Sequence, residues 1–143
     1  MGRILAICIS SAKGTPKVKV NSAKCIENHG IEGDAHAGNW HRQISFLDFG
    51  KIEAFRNKGA EVDFGAFGEN FVVEGIDFTK VSIGTKLKSE NIIFEITQKG
   101  KECHSRCKIY EKMGDCIMPR EGIFAKVLQG GDVKIGQEIS LIE

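Results

Sequence analysis

Apolar residues in this chain come in short alternating runs, and nearly every run is closed by a glycine or a polar turn. Ile92, Phe94 and Ile96 share one face of an extended segment, and Ile123, Ala125 and Val127 share another. Val133, Ile135, Ile139 and Leu141 fall on one parity near the end. Residues 4–9 are apolar throughout and too few for a helix, so they read as a buried strand with Cys8 as a small core residue. From Val18 the alternation shifts phase to Ala23 and Cys25, which predicts a second strand bulged near Asn21, with Cys25 also in the core. Residues 43–47 and 71–73 add two further short strands. One template, V-x-I-G-x-x-[LI], occurs twice, from Val81 to Leu87 and from Val133 to Ile139. Each copy reads as a chain reversal entering a strand, with Gly84 or Gly136 supplying the backbone freedom.

Helical signals are few. Asp48 is placed to cap a helix over residues 48–58, with Phe49, Ile52 and Phe55 as its apolar stripe and Gly59 as its stop. A second helix is predicted over about residues 102–113. Many short strands, turn residues between them and about two short helices predict a mainly β fold, a closed or nearly closed antiparallel β-barrel. With 143 residues and neither linker nor low-complexity segment, residues 1–143 are expected to form one domain.

Charge narrows the function classes. Twenty Lys and Arg against 19 Asp and Glu leave a formal charge of +1, too little for a broad nucleic-acid-binding face, though a local anion pocket remains possible. The sequence has no apolar run near the ~20 residues of a membrane span, and its start lacks a signal-peptide pattern. Five cysteines cannot all pair internally, and free thiols in an unexported chain predict a cytoplasmic setting.

Three of those cysteines, Cys103, Cys107 and Cys116, fall in residues 99–120 together with His104 and six Lys or Arg. A thiol reacts as the thiolate, and nearby positive charge makes thiolate available near neutral pH. In a helix Cys103, Cys107 and Tyr110 would share one face, behind a first turn whose N–H groups favour an anion or a thiolate. Three readings stay open: buried thiols, a structural zinc site built on the cysteines, and a reactive or metal-ligating cysteine beside an anion pocket. The paired C-x2-C knuckles of ordinary zinc modules are missing. Residues 28–42 carry His29, His36 and His41, three glycines and the single Trp40 with no helical or strand period. So polar a loop is either a surface excursion or part of a site.

Several pieces, taken in order, bear a specific likeness. They are Gly30-Ile31-Glu32-Gly33-Asp34-Ala35-His36-Ala37-Gly38, then His41-Arg42-Gln43, then Phe67-Gly68-Glu69-Asn70-Phe71, the cysteine segment, and Pro119-Arg120-Glu121-Gly122-Ile123-Phe124-Ala125. Over nearly its whole length the chain resembles the MOSC family, named after the C-terminal domain of molybdenum cofactor sulfurase, in its small stand-alone bacterial form. The resemblance implies a strand-rich barrel that binds a molybdenum-pterin cofactor or carries sulfur for metal-sulfur centres. It matches the family's hallmark cysteine to Cys107, as molybdenum ligand or persulfide carrier, with Cys103 as a second thiol. Arg42 and Arg120 are the candidates for gripping phosphate or a molybdenum-oxo unit. His36 and His41 would hydrogen-bond the ligand or orient Asp34, which is itself counted with them among the cofactor-binding residues, and Glu69 and Asn70 would pin the loop through backbone hydrogen bonds. A cysteine desulfurase or a molybdoenzyme is the implied protein partner. Pyridoxal phosphate is not expected, for no lysine motif accompanies it. The alternatives are a molybdenum-dependent reductase of N-hydroxylated compounds and a zinc-stabilised interaction module without catalysis.

Overall fold

A computed structural model describes residues 2–12, 17–59, 63–100 and 122–142 of the protein. Cys103, Cys107, Cys116, Arg120 and the helix expected at 102–113 lie outside the described residues.

The short apolar runs become strands: β1 Gly2–Ile9, β2 Val18–Val20, β3 Ser22–Ile26, β4 Gly30–Ile31, β5 Ile44–Asp48, β6 Phe71–Glu74, β7 Lys86–Ser89, β8 Ile92–Lys99, β9 Ile123–Gln129, β10 Gly131–Lys134 and β11 Glu138–Ile142. Among the described residues the helical elements are α1, Phe49–Arg56, and a 3₁₀ turn at Phe78–Lys80. Strands pair in the order β11-β7-β8-β9-β5-β6-β1, and β1 returns to β11 through Gly2↔Ile139 and Arg3↔Glu138, closing a barrel. Farther along, the same edge of β1 pairs β2 through Ile7, Cys8 and Ile9.

The barrel is mixed rather than purely antiparallel. β5 and β6 run parallel, Phe46 facing Phe71 and Asp48 facing Val73. Parallel neighbours need a crossover, and α1 lies in it. The Asp48 carboxylate accepts from the Gly50 amide at 3.3 Å as the helix cap, and Ile52 and Phe55 are the buried residues of α1. The expected bulge near Asn21 is instead a change of sheet: β2 belongs to the barrel, whereas β3 pairs β10 and β4 in a small second sheet.

Two cores follow from the alternation. Ile4, Ile7, Phe46, Phe71, Phe94 and Val127 fill the barrel, with Phe46 stacked on Phe71 at 5.3 Å and edge-on to Phe94 at 5.4 Å. Ala6, Cys8, Leu47, Val72 and Phe124 point the other way and pack with Ile52 and Phe55 of α1. With a register shift between Ile4 and Ala6, β1 feeds both cores, and for that reason its residues 4–9 are apolar throughout. The repeated template forms two alike turns entering adjacent strands: Gly84 has φ 96° and Gly136 φ 89°, and β7 pairs β11. Its valines are buried, but Ile83 and Ile135 are exposed, so the expected single parity already breaks at Ile135. Leu141, on the Ile139 parity, is also exposed. No helix among the described residues is long and apolar enough to cross a membrane.

Candidate functional site

Parallel pairing brings the starts of β5 and β6 together, and antiparallel β1 ends beside them. The aperiodic loop after β4 folds over this edge. There the Lys17 side chain is 1 % exposed and the Asp34 side chain 0 %, with Lys17 Nζ 2.7 Å from Asp34 Oδ1. Lys17 Nζ also reaches Ser10 Oγ at 3.3 Å and His36 Nδ1 at 2.9 Å, so each of the three ammonium hydrogens has an acceptor. Asp34 binds the loop back on itself: Oδ1 accepts from the Ser10 amide at 3.1 Å and Oδ2 from the His36 amide at 3.2 Å. A buried charge is tolerated when it is paired and hydrogen-bonded, and Lys17 and Asp34 meet both conditions.

From His36 the loop continues to an aromatic clamp. Trp40 Nε1 donates to the His36 carbonyl at 2.7 Å. The Arg42 guanidinium lies 4.7 Å from the centre of the Trp40 ring and 5.8 Å from that of Phe124, within cation–π range of both. Arg42 Nε is buried, and among the described residues it has no hydrogen-bond partner. A buried donor left unpaired costs about 1–3 kcal/mol, so the position favours an added acceptor. His41 packs edge-on against Trp40 at 5.7 Å, its Nε2 is 2.8 Å from Gln98 Oε1, and its carbonyl accepts from Thr97 Oγ1. Residues 97–100 are where the chain leaves β8. The Gly100 amide bonds the Gly122 carbonyl at 2.7 Å, so the described residues on either side of 101–121, the interval that holds three cysteines in the sequence, meet at this end of β8.

Glu69 and Asn70 support this edge from below. Glu69 accepts from the Gly65 amide at 2.9 Å and the Phe67 amide at 3.1 Å. Burial pushes its carboxyl above the ordinary value, against the opposing pull of those amides and of Lys17. Asn70 joins three strands: Oδ1 accepts from the Ser45 amide at 3.0 Å, and Nδ2 donates to the Cys8 carbonyl at 3.0 Å. Gln43 ties the loop to β9, accepting from the Val127 amide at 3.0 Å and donating to Asn28 Oδ1 at 3.2 Å.

Asp34, His36, His41 and Arg42 are therefore one connected cluster, with Asp34 directed at Lys17 and the loop backbone. Cys103, Cys107 and Arg120 lie outside the described residues, and only the two ends of their segment are placed. Cys8 and Cys25 are buried free thiols whose pKa values desolvation pushes up to about 12, which removes them from thiolate chemistry. Lys17 was not legible as a site residue: it follows a loop and opens a Val-x-Val run, with nothing local to mark burial. Gln98 and Phe124 are likewise missed, being ordinary strand residues in sequence. No three His, Cys, Asp or Glu side chains among the described residues come together to hold a metal ion. A depression of about 300 Å³ lined by Gly2, Arg3, Glu74, Gly75 and Glu138 lies at the barrel seam and shares no residue with this cluster.

Known proteins give three kinds of comparison. The MOSC domain family model matches residues 33–140. No curated protein sequence matches the chain. Among solved structures, the YuaD protein from Bacillus subtilis is similar with a TM-score of 0.79 and 19% identity, covering 97% of this chain and 94% of that one. YiiM from Geobacillus stearothermophilus follows with 0.76 and 20% identity over 100% and 76% of the two chains. YiiM from Escherichia coli gives 0.67 and 17% identity over 99% and 70%. At such identities the likeness is one of fold.

Proposed function

The chain belongs to the MOSC domain family, and from that premise we propose that it binds a molybdenum-pterin cofactor beside the Trp40–Arg42–Phe124 clamp. The single observation that carries this reading is the buried Nε of Arg42, which has no hydrogen-bond partner among the described residues. A guanidinium is a rigid fork of N–H donors suited to phosphate or oxo oxygens, and here it lies against two flanking rings. The residues present therefore fit an oxyanion-bearing group. Arg42 would bind its anionic part, joined by Arg120, and His36 and His41 would donate or accept at its edge. Asp34 holds the loop rather than the ligand. Cys107 would supply the soft thiolate that suits a molybdenum centre, and Cys103 is the second thiol of the segment. When bound, such a cofactor supplies two-electron redox and oxygen- or sulfur-transfer chemistry. The setting is the cytoplasm, where free thiols persist.

A sulfur-carrying role uses the same residues and is favoured by one further observation. Cys8 and Cys25 are disarmed by burial, which leaves the thiols of residues 101–121 for sulfur chemistry. Cys107 thiolate would take the terminal sulfur of a desulfurase persulfide, releasing the desulfurase thiolate. Intact mass after incubation with a cysteine desulfurase tests this. An increment of about 32 Da that disappears on Cys107→Ala supports carriage, and no increment on the native chain counts against it. Metal and pterin content of protein from a molybdenum-replete host tests cofactor binding, with Arg42→Ala and Cys107→Ala as the variants that should lose it. One zinc per chain instead would favour an interaction module.

A further inference from the structure

We propose that Gln98 is a positioning residue that keeps the proton of neutral His41 on Nε2, so that Nδ1 meets a ligand as a hydrogen-bond acceptor. A backbone carbonyl, which can only accept, decides the orientation of the Gln98 amide. Gln98 Nε2 stands 2.6 Å from the Gly100 carbonyl oxygen, so the NH₂ end of the side chain faces Gly100. Its Oε1 is then the atom 2.8 Å from His41 Nε2. An amide oxygen has no proton to give, so His41 Nε2 carries one. In the neutral ring the lone pair is then on Nδ1.

A β-bulge makes this contact. Between the pairs Ile96↔Ala125 and Gln98↔Phe124, β8 advances two residues while β9 advances one. Neighbouring strand residues ordinarily face opposite sides, yet Thr97 and Gln98 both reach His41. Thr97 Oγ1 donates to the His41 carbonyl, and Gln98 Oε1 accepts from its ring. Backbone and imidazole are thus held from one short stretch of β8. His41 is exposed, and Nδ1 has no hydrogen-bond partner among the described residues. The same bulge sets Gln98 opposite Phe124, a ring that flanks Arg42. Two unlike groups therefore border Trp40, with His41 edge-on at 5.7 Å and Arg42 at 4.7 Å. Arg42 Nε is a donor and suits an anionic oxygen. His41 Nδ1 is an acceptor, which an anionic oxygen repels and an N–H or O–H group satisfies. The ligand so described has an anionic oxygen on the Arg42 side and an uncharged, N–H-bearing ring on the His41 side. The tautomer stands without the functional proposal; the choice of ligand rests on that reading.

The test is ¹⁵N imidazole NMR on the full chain at about pH 8.5, two units above an ordinary imidazole, with His41 assigned from its absence in His41→Phe. Wild type should hold His41 in one tautomer, protonated at Nε2 and bare at Nδ1. Gln98→Met removes the acceptor at similar length and should let an Nδ1-protonated fraction appear. Gln98→Glu supplies an acceptor again and should restore the single tautomer, which a merely structural role for Gln98 would not do. A tautomer mixture in wild type, or a Gln98→Met spectrum identical to wild type, overturns the role of Gln98. Pterin, a ring with several N–H donors, and inorganic molybdate are the ligand probes, at about pH 7.5. Pterin should shift the His41 Nδ1 resonance and bind His41→Phe up to about tenfold more weakly. Molybdate should bind His41→Phe as it binds wild type and lose affinity in Arg42→Ala. Pterin that binds with Nδ1 unmoved overturns the acceptor role and leaves the cofactor reading standing. Binding of neither probe overturns both, while the Gln98 variants still decide the tautomer.

Discussion

Gly65 and Lys17 are joined backbone to backbone: the Lys17 amide donates to the Gly65 carbonyl at 2.8 Å, and a Cβ on Gly65 would lie 2.1 Å from the Lys17 carbonyl oxygen. With φ at +92°, Gly65 also holds a conformation that L side chains rarely adopt. This contact carries the Gly65–Glu69 turn onto the buried lysine, and so onto Asp34 and His36. Gly65→Ala should destabilise the fold by roughly 2–4 kcal/mol, combining left-handed strain with the displaced backbone. Urea denaturation measures it. A loss under about 0.5 kcal/mol, the range of an ordinary surface substitution, would show that the two segments are not coupled as described.

Asp34→Asn leaves the Lys17 ammonium buried without its carboxylate. Breaking a buried pair from one side costs about 3–5 kcal/mol, and neutralising both partners costs much less. The Lys17→Met/Asp34→Asn double variant is accordingly expected to be more stable than Asp34→Asn alone. Equal stabilities, measured in the same denaturation experiment, would mean that the pair is not the energetic unit.

Glu69 makes a pH prediction whose sign is opposite to that of most carboxylates. Burial raises its folded-state pKa above the ordinary 4.5, so the native state keeps a proton that the unfolded chain has already lost. Its contribution is fully present below 4.5 and is lost as pH rises through the folded-state value. Asp63 is lowered chiefly by the Phe64 amide, and Asp77 chiefly by Thr79, so they act in the reverse sense below their ordinary 3.8. The difference in stability between wild type and Glu69→Gln isolates the Glu69 part. Wild type should lose stability relative to the variant as pH rises above 4.5, and a flat difference would contradict the burial argument.

Cys8 and Cys25 should resist alkylation in the native protein. With pKa values of about 12 and no exposed surface to speak of, neither offers thiolate to a reagent near neutral pH. Peptide mapping after iodoacetamide should find both modified only when the chain is first unfolded. Native labelling at either would return them to the list of reactive thiols.

The strands were readable because barrel faces impose a two-residue period, and Ile92, Phe94 and Ile96 or Ile123, Ala125 and Val127 obey it to the core. Helix α1 was readable from a cap and a stripe. The β5–β6 parallel pairing was not, since Ile44–Asp48 and Phe71–Glu74 carry no mark of direction; only the intervening helix hints at a crossover. The transfer of the chain between sheets at Asn21 imitates a bulge, for both shift the phase by one residue. Of the site, the loop of residues 28–42 stood out because polar, aperiodic loops need a reason to exist, and the family resemblance picked Asp34, His36, His41 and Arg42. Lys17 did not, because its burial is decided by Gly65, Asp34 and His36, all distant in sequence.

The central claim is tested most directly by molybdenum and pterin content, measured together on freshly purified protein from a molybdenum-replete host. Wild type is predicted to carry both in proportion, and Cys107→Ala and Arg42→Ala to lose them while remaining folded. Wild-type protein free of molybdenum and pterin under that supply, or variants carrying as much as wild type, would contradict the account.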